Sequence, residues 1–256
     1  MLPAFGDRPL DQITVREIDD YRIRKLATGK RPLNRKTVNN HLAVLRRVYT
    51  VAHRWGLVQH IPFIKLMTKR ELRESPADFL TFEQADDFLA AIDRLYPDHW
   101  LFVFTALRTG VRLGELRGLR WQETDLDRGQ ILVSRSFSRD AYAQDLARDP
   151  NHPEPGVRMP KWGRMRSVPL PSDALAALRH QRARSTHRLV FPALPTNRPL
   201  VGNFRSVHSI RAALFRCCQR AKLKPTHMHM LRHTYASHLA MKGVNIRAVQ
   251  VRRQCP

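Results

Sequence analysis

Cysteine is scarce in this chain of 256 residues. The three thiols are Cys217, Cys218 and Cys255, and two of them are adjacent. So few cysteines in this spacing exclude the disulfide framework on which small extracellular domains depend. The composition suits a reducing compartment, and we expect the protein in the cytoplasm.

Long apolar runs are also absent. No stretch approaches the eighteen or so consecutive apolar residues that a membrane-spanning helix requires. The N-terminus, Met-Leu-Pro-Ala-Phe-Gly-Asp, lacks the basic and apolar regions of a secretory signal. Because 43% of the residues are hydrophobic, the chain has enough apolar side chains to fill a core. We expect a globular protein with one large domain or two modest ones.

Acidic residues are rare in the last part of the chain. From residue 158 to residue 256 there are 20 Lys and Arg and one acid, Asp173, while the whole chain has a formal net charge of +23. This imbalance, with a pI near 11.3, indicates a polyanionic partner, nucleic acid before membrane. The second half therefore supplies most of the electrostatic attraction.

The first part of the chain predicts two helices. Thr14 and Glu17 have the spacing of a capping box, which begins a helix that ends near Ala27. A second helix begins near Asn34 and ends at Gly56. Its apolar residues recur on one face: Val38, Leu42, Leu45, Tyr49 and Ala52. Its basic residues lie elsewhere and include Arg35, Lys36, Arg46 and Arg47.

The remaining patterns predict a mainly α-helical fold with a small antiparallel β-sheet. Caps and apolar periodicity indicate helices at 82–95, 100–107, 113–119, 174–184, 207–221 and 246–250. Two short strands, Ile131–Val133 and Ser167–Leu170, are expected to pair as a hairpin edge with Lys161 near its tip. The stretch 138–160 has four prolines and little apolar periodicity, which indicates a loop or an insertion.

The stretch from Thr226 to Leu239 predicts a helix with a functional face. Thr226 is the expected N-cap, and Gly243 stands where a left-handed residue would end the helix. His229 and Arg232 are three residues apart and therefore share a face. An imidazole beside a guanidinium near a helix N-terminus is suited to holding a phosphate.

Three separated motifs resemble the tyrosine recombinase or phage integrase family. The first is Thr-Gly-Val-Arg-Leu-Gly-Glu-Leu at residues 109–116, and the last is His-Met-Leu-Arg-His-Thr at residues 229–234. Between them, Lys161 is followed by Val-Pro-Leu at residues 168–170, which looks like the β-hairpin lysine of that family. The three motifs have the family's order, and the resemblance covers most of the chain.

This resemblance implies transesterification of a DNA phosphodiester without metal or cofactor, through a DNA 3′-phosphotyrosine. Arg112 and Arg232 would hold the non-bridging oxygens, because arginine stays charged and reaches two oxygens at once. Lys161 would protonate the leaving 5′ oxygen. His229 would donate to the phosphate or tune the site, and Glu115 would orient an arginine or a histidine.

The resemblance also implies a division of the chain. Residues 1–66 correspond to part of a helical core-binding domain, 67–78 to a linker, 79–250 to the catalytic domain and 251–256 to a tail outside the family pattern. The expected partner is double-stranded DNA, with a homo-oligomer or an intact recombinase assembled on it in the nucleoid. The expected DNA contacts are Arg35, Lys36, Arg46, Arg47, Arg164 and Arg166.

One departure from the family bears on activity. The family continues beyond the position of Gln250 with a Leu-Gly-His motif and the nucleophilic tyrosine, and residues 251–256 match neither. Tyr142 and Tyr235 are in the wrong places to substitute. The simplest interpretation is an integrase truncated at both ends, and we expect no strand cleavage by this chain alone.

Three alternatives remain at the level of sequence. A zinc site is suggested by five neighbouring residues, Cys217, Cys218, His227, His229 and His233, but adjacent cysteines rarely ligate one ion and no Cys-x-x-Cys pair is present. A DNA-binding protein without catalysis would use the same basic residues. Binding to RNA or to any polyanion would give equal affinity across sequences with a steep salt dependence.

Overall fold

The computed structural model describes residues 2–27, 32–68, 70–72, 78–160, 163–194 and 203–245. The chain divides into two compact units, Met1–Pro76 and Ala77–Pro256. It is mainly α-helical with small antiparallel sheets, as the sequence predicts. Among the described residues, no helix is both long and apolar enough to cross a membrane.

The first unit contains the helices α1 (Leu2–Phe5), α2 (Val15–Ala27) and α3 (Arg35–Arg54). Both predicted helix starts are confirmed. The amide of Thr14 donates to Glu17 at 2.9 Å, and the side chain of Asn34 accepts from the amide of Thr37 at 2.7 Å. The predicted apolar face of α3 is buried in the core of this unit: Val38, Leu42, Leu45, Tyr49 and Ala52.

The second unit is built around a group of packed helices. They are α4 (Phe82–Leu95), α5 (Pro97–Thr109), α6 (Leu113–Arg117), α7 (Arg139–Arg148), α8 (Ser172–Arg184), α9 (Val207–Arg220) and α10 (Met228–Met241). Helix α4 packs on α5 and α9, and α5 also packs on α10. Helix α5 is buried on most sides, as its nearly continuous apolar sequence predicts. Its burial makes α5 the support on which the following turn is placed.

A three-stranded sheet lies beside these helices. The strands are β1 (Thr124–Asp125), β2 (Gln130–Val133) and β5 (Arg166–Pro169), in the antiparallel order β1-β2-β5. In the register of β2 and β5, Val133 is paired with Arg166 and Gln130 with Pro169. The predicted pairing of the two strands is confirmed, whereas Lys161, expected near the hairpin tip, lies outside the described residues.

The stretch 138–160 is predicted to be a loop or an insertion, and the prediction of a loop is wrong. This stretch holds α7 and β4 (Val157–Arg158), which pairs with β3 (Ser136–Phe137). Polar contacts anchor it, because Asp145 of α7 accepts from the amide of Gly156 at 2.8 Å and forms an ion pair with Arg158. Charged pairs and turns leave no apolar period in the sequence, so periodicity could not reveal the helix.

The N-cap predicted for α10 is also wrong by one residue. His227 caps the helix, since its Nδ1 accepts from the amide of Met230 at 2.9 Å. Thr226 is buried instead, and its amide donates to the Cys218 sulfur at 3.3 Å. Gly243 has the predicted left-handed backbone, with φ of 75°. The predicted helix at 246–250 lies outside the described residues.

Candidate functional site

The turn between α5 and α6 places Arg112. Helix α5 ends at Gly110, whose φ of 63° is left-handed, and Arg112 stands directly before α6 with an extended backbone. The amide of Arg112 donates to Glu115 Oε2 at 2.9 Å, and Arg112 Nη1 donates to Glu115 Oε1 at 3.0 Å. The same carboxylate therefore holds both the backbone and the side chain of Arg112.

Glu115 is buried and forms an ion pair with a second arginine. Arg166, the first residue of β5, donates Nη1 to Oε1 at 2.9 Å and Nη2 to Oε2 at 2.6 Å. Burial raises the pKa of Glu115, but the hydrogen bonds and charge of Arg166 and the hydrogen bonds of Arg112 outweigh it, so the pKa lies below its usual range. The carboxylate is ionised at neutral pH.

Arg232 joins the last motif to the first. It is buried in α10, and its Nη1 donates to the carbonyl oxygen of Gly110. Tyr235, one turn further along α10, packs on the same glycine, because a Cβ on Gly110 would lie 2.4 Å from the Tyr235 ring. The structure thus places the guanidinium of Arg232 against the turn that carries Arg112, although Gly110 and Arg232 are 122 residues apart.

The segment around Leu80, just before α4, holds α10 in this position through hydrogen bonds. The amide of Leu80 donates to Thr234 Oγ1 at 3.1 Å, and His238 Nε2 donates to the Leu80 carbonyl at 2.9 Å. The His238 ring also stacks on Phe82 with centroids 4.0 Å apart. Sequence patterns did not predict these contacts. Their only local signal is that Thr234 and His238 are four residues apart, which places two polar side chains on the buried face of α10.

His229 lies one turn before Arg232 and is exposed, whereas Arg232 is buried. The ring of His229 meets the ring of His233 edge to face, with centroids 4.6 Å apart. An exposed imidazole near the N-terminus of α10 is accessible to a ligand from solvent. The structure therefore places His229 on the helix that carries Arg232, at the outer side of the site.

The two adjacent cysteines lie in the core. Cys217 Sγ contacts the Ala91 carbonyl at 3.6 Å, and burial raises the pKa of Cys217 to about 11. The Cys218 sulfur accepts from the amide of Thr226. Within the described part of the chain, no group of three or more His, Cys, Asp or Glu is arranged to hold a metal ion. The two sulfurs have packing roles in the structure.

The residues expected to contact DNA fall into two sets. Five of them are exposed: Arg35, Lys36, Arg46 and Arg47 on α3, and Arg164 before β5. Arg166 is buried on Glu115, and the contact with DNA predicted for it stays a prediction. Lys161, the expected general acid, lies outside the described residues.

Comparison with known proteins identifies a family. The family model described as "Phage integrase family" matches residues 78–252. The tyrosine recombinase XerC of Xylella fastidiosa (strain M23) is 31% identical over 235 residues, which cover 88% of this chain and 67% of that protein. The XerC of Oceanobacillus iheyensis is 27% identical over 240 residues, covering 90% and 70%. The chain spans about two thirds of the length of these relatives.

Solved structures of integrases share the fold. The Tn1549 transposon integrase in complex with circular intermediate DNA superposes with a TM-score of 0.76 at 20% identity, covering 98% of this chain and 80% of that chain. A lambda integrase(75-356) dimer bound to a COC' core site gives 0.69 at 18% identity, covering 98% and 81%. Family match, relatives and fold agree, and this chain belongs to the phage integrase family of tyrosine recombinases.

Proposed function

We propose that this chain binds duplex DNA and holds one backbone phosphate between Arg112 and Arg232, with His229 at the outer side. The observation that carries the proposal is the hydrogen bond from Arg232 to Gly110, which brings the two arginine motifs to one turn. Two guanidinium groups can neutralise a phosphate and the added charge of a pentacoordinate state without a metal ion. DNA is the partner because the integrases that share this fold are described in complex with DNA.

The reaction we assign to this site is the strand cleavage and rejoining of site-specific recombination. A tyrosine oxygen attacks the phosphorus, the bond from phosphorus to the 5′ oxygen breaks, and a 3′-phosphotyrosine forms. Lys161 gives the proton to the departing 5′ oxygen. Glu115 supports Arg112 and does not touch the phosphate. No metal or cofactor takes part in these steps.

We assign the exposed basic residues of α3 to the DNA backbone: Arg35, Lys36, Arg46 and Arg47. Arg164 takes the same role beside the catalytic site. In this proposal residues 1–66 act as a helical core-binding domain, 67–78 as a linker and 79–250 as the catalytic domain, with 251–256 outside the family pattern. The protein works on cytoplasmic DNA in the nucleoid, as a homo-oligomer or beside an intact recombinase.

A second candidate function is DNA binding without cleavage by this chain alone. Each of its five tyrosines is engaged in packing or in a hydrogen bond, including Tyr235, which packs on Gly110 beside the two arginines. Three are buried: Tyr21, Tyr49 and Tyr235. Of the others, the Tyr96 hydroxyl accepts from Arg216 at 2.9 Å, and the Tyr142 ring packs on Phe137. These placements favour a nucleophile supplied from elsewhere.

The phosphate contact can be tested on a duplex that the protein itself selects from a random-sequence library. Each backbone phosphate is replaced in turn by a neutral methylphosphonate, and the dissociation constant is measured. One position should lose about tenfold more affinity than its neighbours, and Arg112→Gln and Arg232→Gln should abolish that difference. As a control, the double variant Arg46→Gln, Arg47→Gln should weaken all duplexes, reduce the salt slope by about two and keep the difference.

Equal losses at every phosphate, or no sequence preference in the selection, would contradict the proposal in favour of binding to any polyanion. Cleavage is tested on a nicked form of the selected duplex. No covalent adduct should appear on a denaturing gel with this chain alone, and one should appear when a relative's C-terminal segment carrying the tyrosine is added in trans. An adduct without that segment would contradict the second candidate function.

A further inference from the structure

Glu115 lies between two arginines that come from different elements. Arg112 reaches it from the turn after α5, and Arg166 reaches it from the first position of β5. The contacts are unequal, because Arg166 forms an end-on fork with both carboxylate oxygens, whereas the Arg112 side chain contacts Oε1. A carboxylate held by such a fork has a fixed plane.

Burial separates the three side chains. The Glu115 side chain is 1% exposed and that of Arg166 is 7% exposed, whereas the Arg112 side chain is 26% exposed. Only Arg112 of these three can meet a ligand that arrives from solvent. Because Arg166 is this deeply buried and uses both Nη atoms on Glu115, an effect on DNA that passes through Glu115 replaces the direct contact predicted from the sequence.

We propose that Arg166 is a positioning residue, which acts through Glu115 to fix the direction in which Arg112 presents its guanidinium to the phosphate. The inference rests on the proposed function, in which Arg112 contacts that phosphate. Glu115 also accepts from the amide of Arg112, so the fork of Arg166 fixes the backbone of the turn as well as the side chain. A pre-positioned guanidinium loses less entropy on binding than one that samples many rotamers.

The charges of the three groups support the same role. A single arginine paired with a single carboxylate is close to neutral and attracts a phosphate weakly. With Arg166 present, two positive groups share one negative group, and the trio keeps a net charge of +1. Glu115 accepts two side-chain hydrogen bonds from Arg166, and one side-chain and one backbone hydrogen bond from Arg112, so both arginines stay attached to it while the trio attracts an anion.

The first test measures the reactivity of Arg112 and needs no DNA. A dicarbonyl reagent modifies arginine side chains, and mass spectrometry of the peptide that contains Arg112 gives the rate. In the full chain carrying Arg166→Gln, the rate at Arg112 should rise about tenfold, because a Glu115 carboxylate without its fork no longer holds the Arg112 side chain in one orientation. Arg158→Gln is the matched control, since it also removes an arginine from an ion pair with a carboxylate, that of Asp145, and should leave the rate at Arg112 unchanged.

A conservative variant keeps the test decisive if Arg166→Gln does not fold. Arg166→Lys retains the charge but loses the fork, so the rate at Arg112 should lie between those of the unaltered protein and Arg166→Gln. A folded Arg166→Gln or Arg166→Lys protein whose Arg112 reacts at the unaltered rate would overturn the proposal. Circular dichroism and a thermal melt establish that each variant is folded.

The second test uses the selected duplex with the single methylphosphonate. Arg166→Gln should reduce the affinity difference at that phosphate by about tenfold, and Arg166→Lys should restore part of it. A purely structural role would weaken all duplexes alike and would overturn the proposal. If the unaltered protein shows no difference at any phosphate, the proposed function fails. The reactivity of Arg112 then still decides whether Arg166 positions it.

Discussion

Arg232 donates a hydrogen bond to the carbonyl oxygen of Gly110, and this contact joins two motifs that lie far apart in the second unit's sequence. The carbonyl is available because Gly110 ends α5 in a left-handed conformation. The ring of Tyr235 packs against the same glycine. One residue without a side chain therefore lets α10 approach the turn that carries Arg112.

The first prediction concerns this close approach. Gly110→Ala should lower the free energy of unfolding by about 3 kcal/mol, because the left-handed backbone costs about 1 kcal/mol and displacing the Tyr235 ring costs about 2 kcal/mol. Chemical denaturation measures the change. Gly243→Ala is the matched control, since Gly243 has φ of 75° and no atom of the described residues lies within 4 Å of the position that its Cβ would take, so it should lose only the backbone part. Equal losses in both variants would contradict the packing of Tyr235 on Gly110.

The second prediction concerns the ionisation of Glu115. Its pKa is lower in the folded state than its usual 4.5, so its contribution to stability is present above about pH 4.5 and is lost as the pH falls through the folded pKa. Glu115→Gln should lower stability at neutral pH by about 3 kcal/mol or more, because it leaves Arg166 buried without its carboxylate. The free energy of unfolding, measured from pH 7 to pH 3, should differ less between the two proteins at the acid end. A constant difference would contradict the assignment.

The third prediction concerns His99, which is buried at the start of α5. Burial and the nearby charge of Arg205 lower the pKa of His99 from 6.5 to about 4. Between these two pH values the unfolded chain binds a proton at His99 and the folded chain does not. The free energy of unfolding should therefore fall by about 3 kcal/mol as the pH falls from about 6.5 to about 4.

His99→Gln should reduce the change in the free energy of unfolding between these pH values. Its side-chain amide can still form hydrogen bonds with Ser209 and Arg205. Denaturation at closely spaced pH values measures the slope, and nuclear magnetic resonance of the imidazole follows the titration directly. An ordinary titration of His99 near pH 6.5 in the folded protein would contradict this prediction.

The fourth prediction concerns Lys222, which follows α9 with φ of 55°. The residue occupies the left-handed position after a helix, where glycine is preferred. Lys222→Gly should raise the free energy of unfolding by about 1 kcal/mol. Lys222→Ala removes the same charge but keeps the backbone cost, so thermal denaturation should find it close to the unaltered protein. A gain of equal size in both variants would indicate an effect of charge.

Local patterns in the sequence predicted much of the fold. The caps of α2, α3 and α4 and the buried face of α3 follow from residues a few positions apart, and the structure has them where predicted. The same local reasoning failed at 138–160, where ion pairs such as Asp145 with Arg158 replace an apolar period. It also predicted Thr226 as the cap of α10, where the structure has His227, because threonine is a common cap and the burial of Thr226 depends on Cys218.

The three motifs were identified by their resemblance to the family, the excess of positive charge by composition, and the placement of His229 and Arg232 on one helix by their short spacing. Only the tertiary structure shows two further features, the contact of Arg232 with Gly110 and the burial of Arg166 on Glu115. An arginine in a basic stretch looks the same whether it faces solvent or a carboxylate. Its environment is fixed by strand pairing and helix packing between residues far apart in the chain.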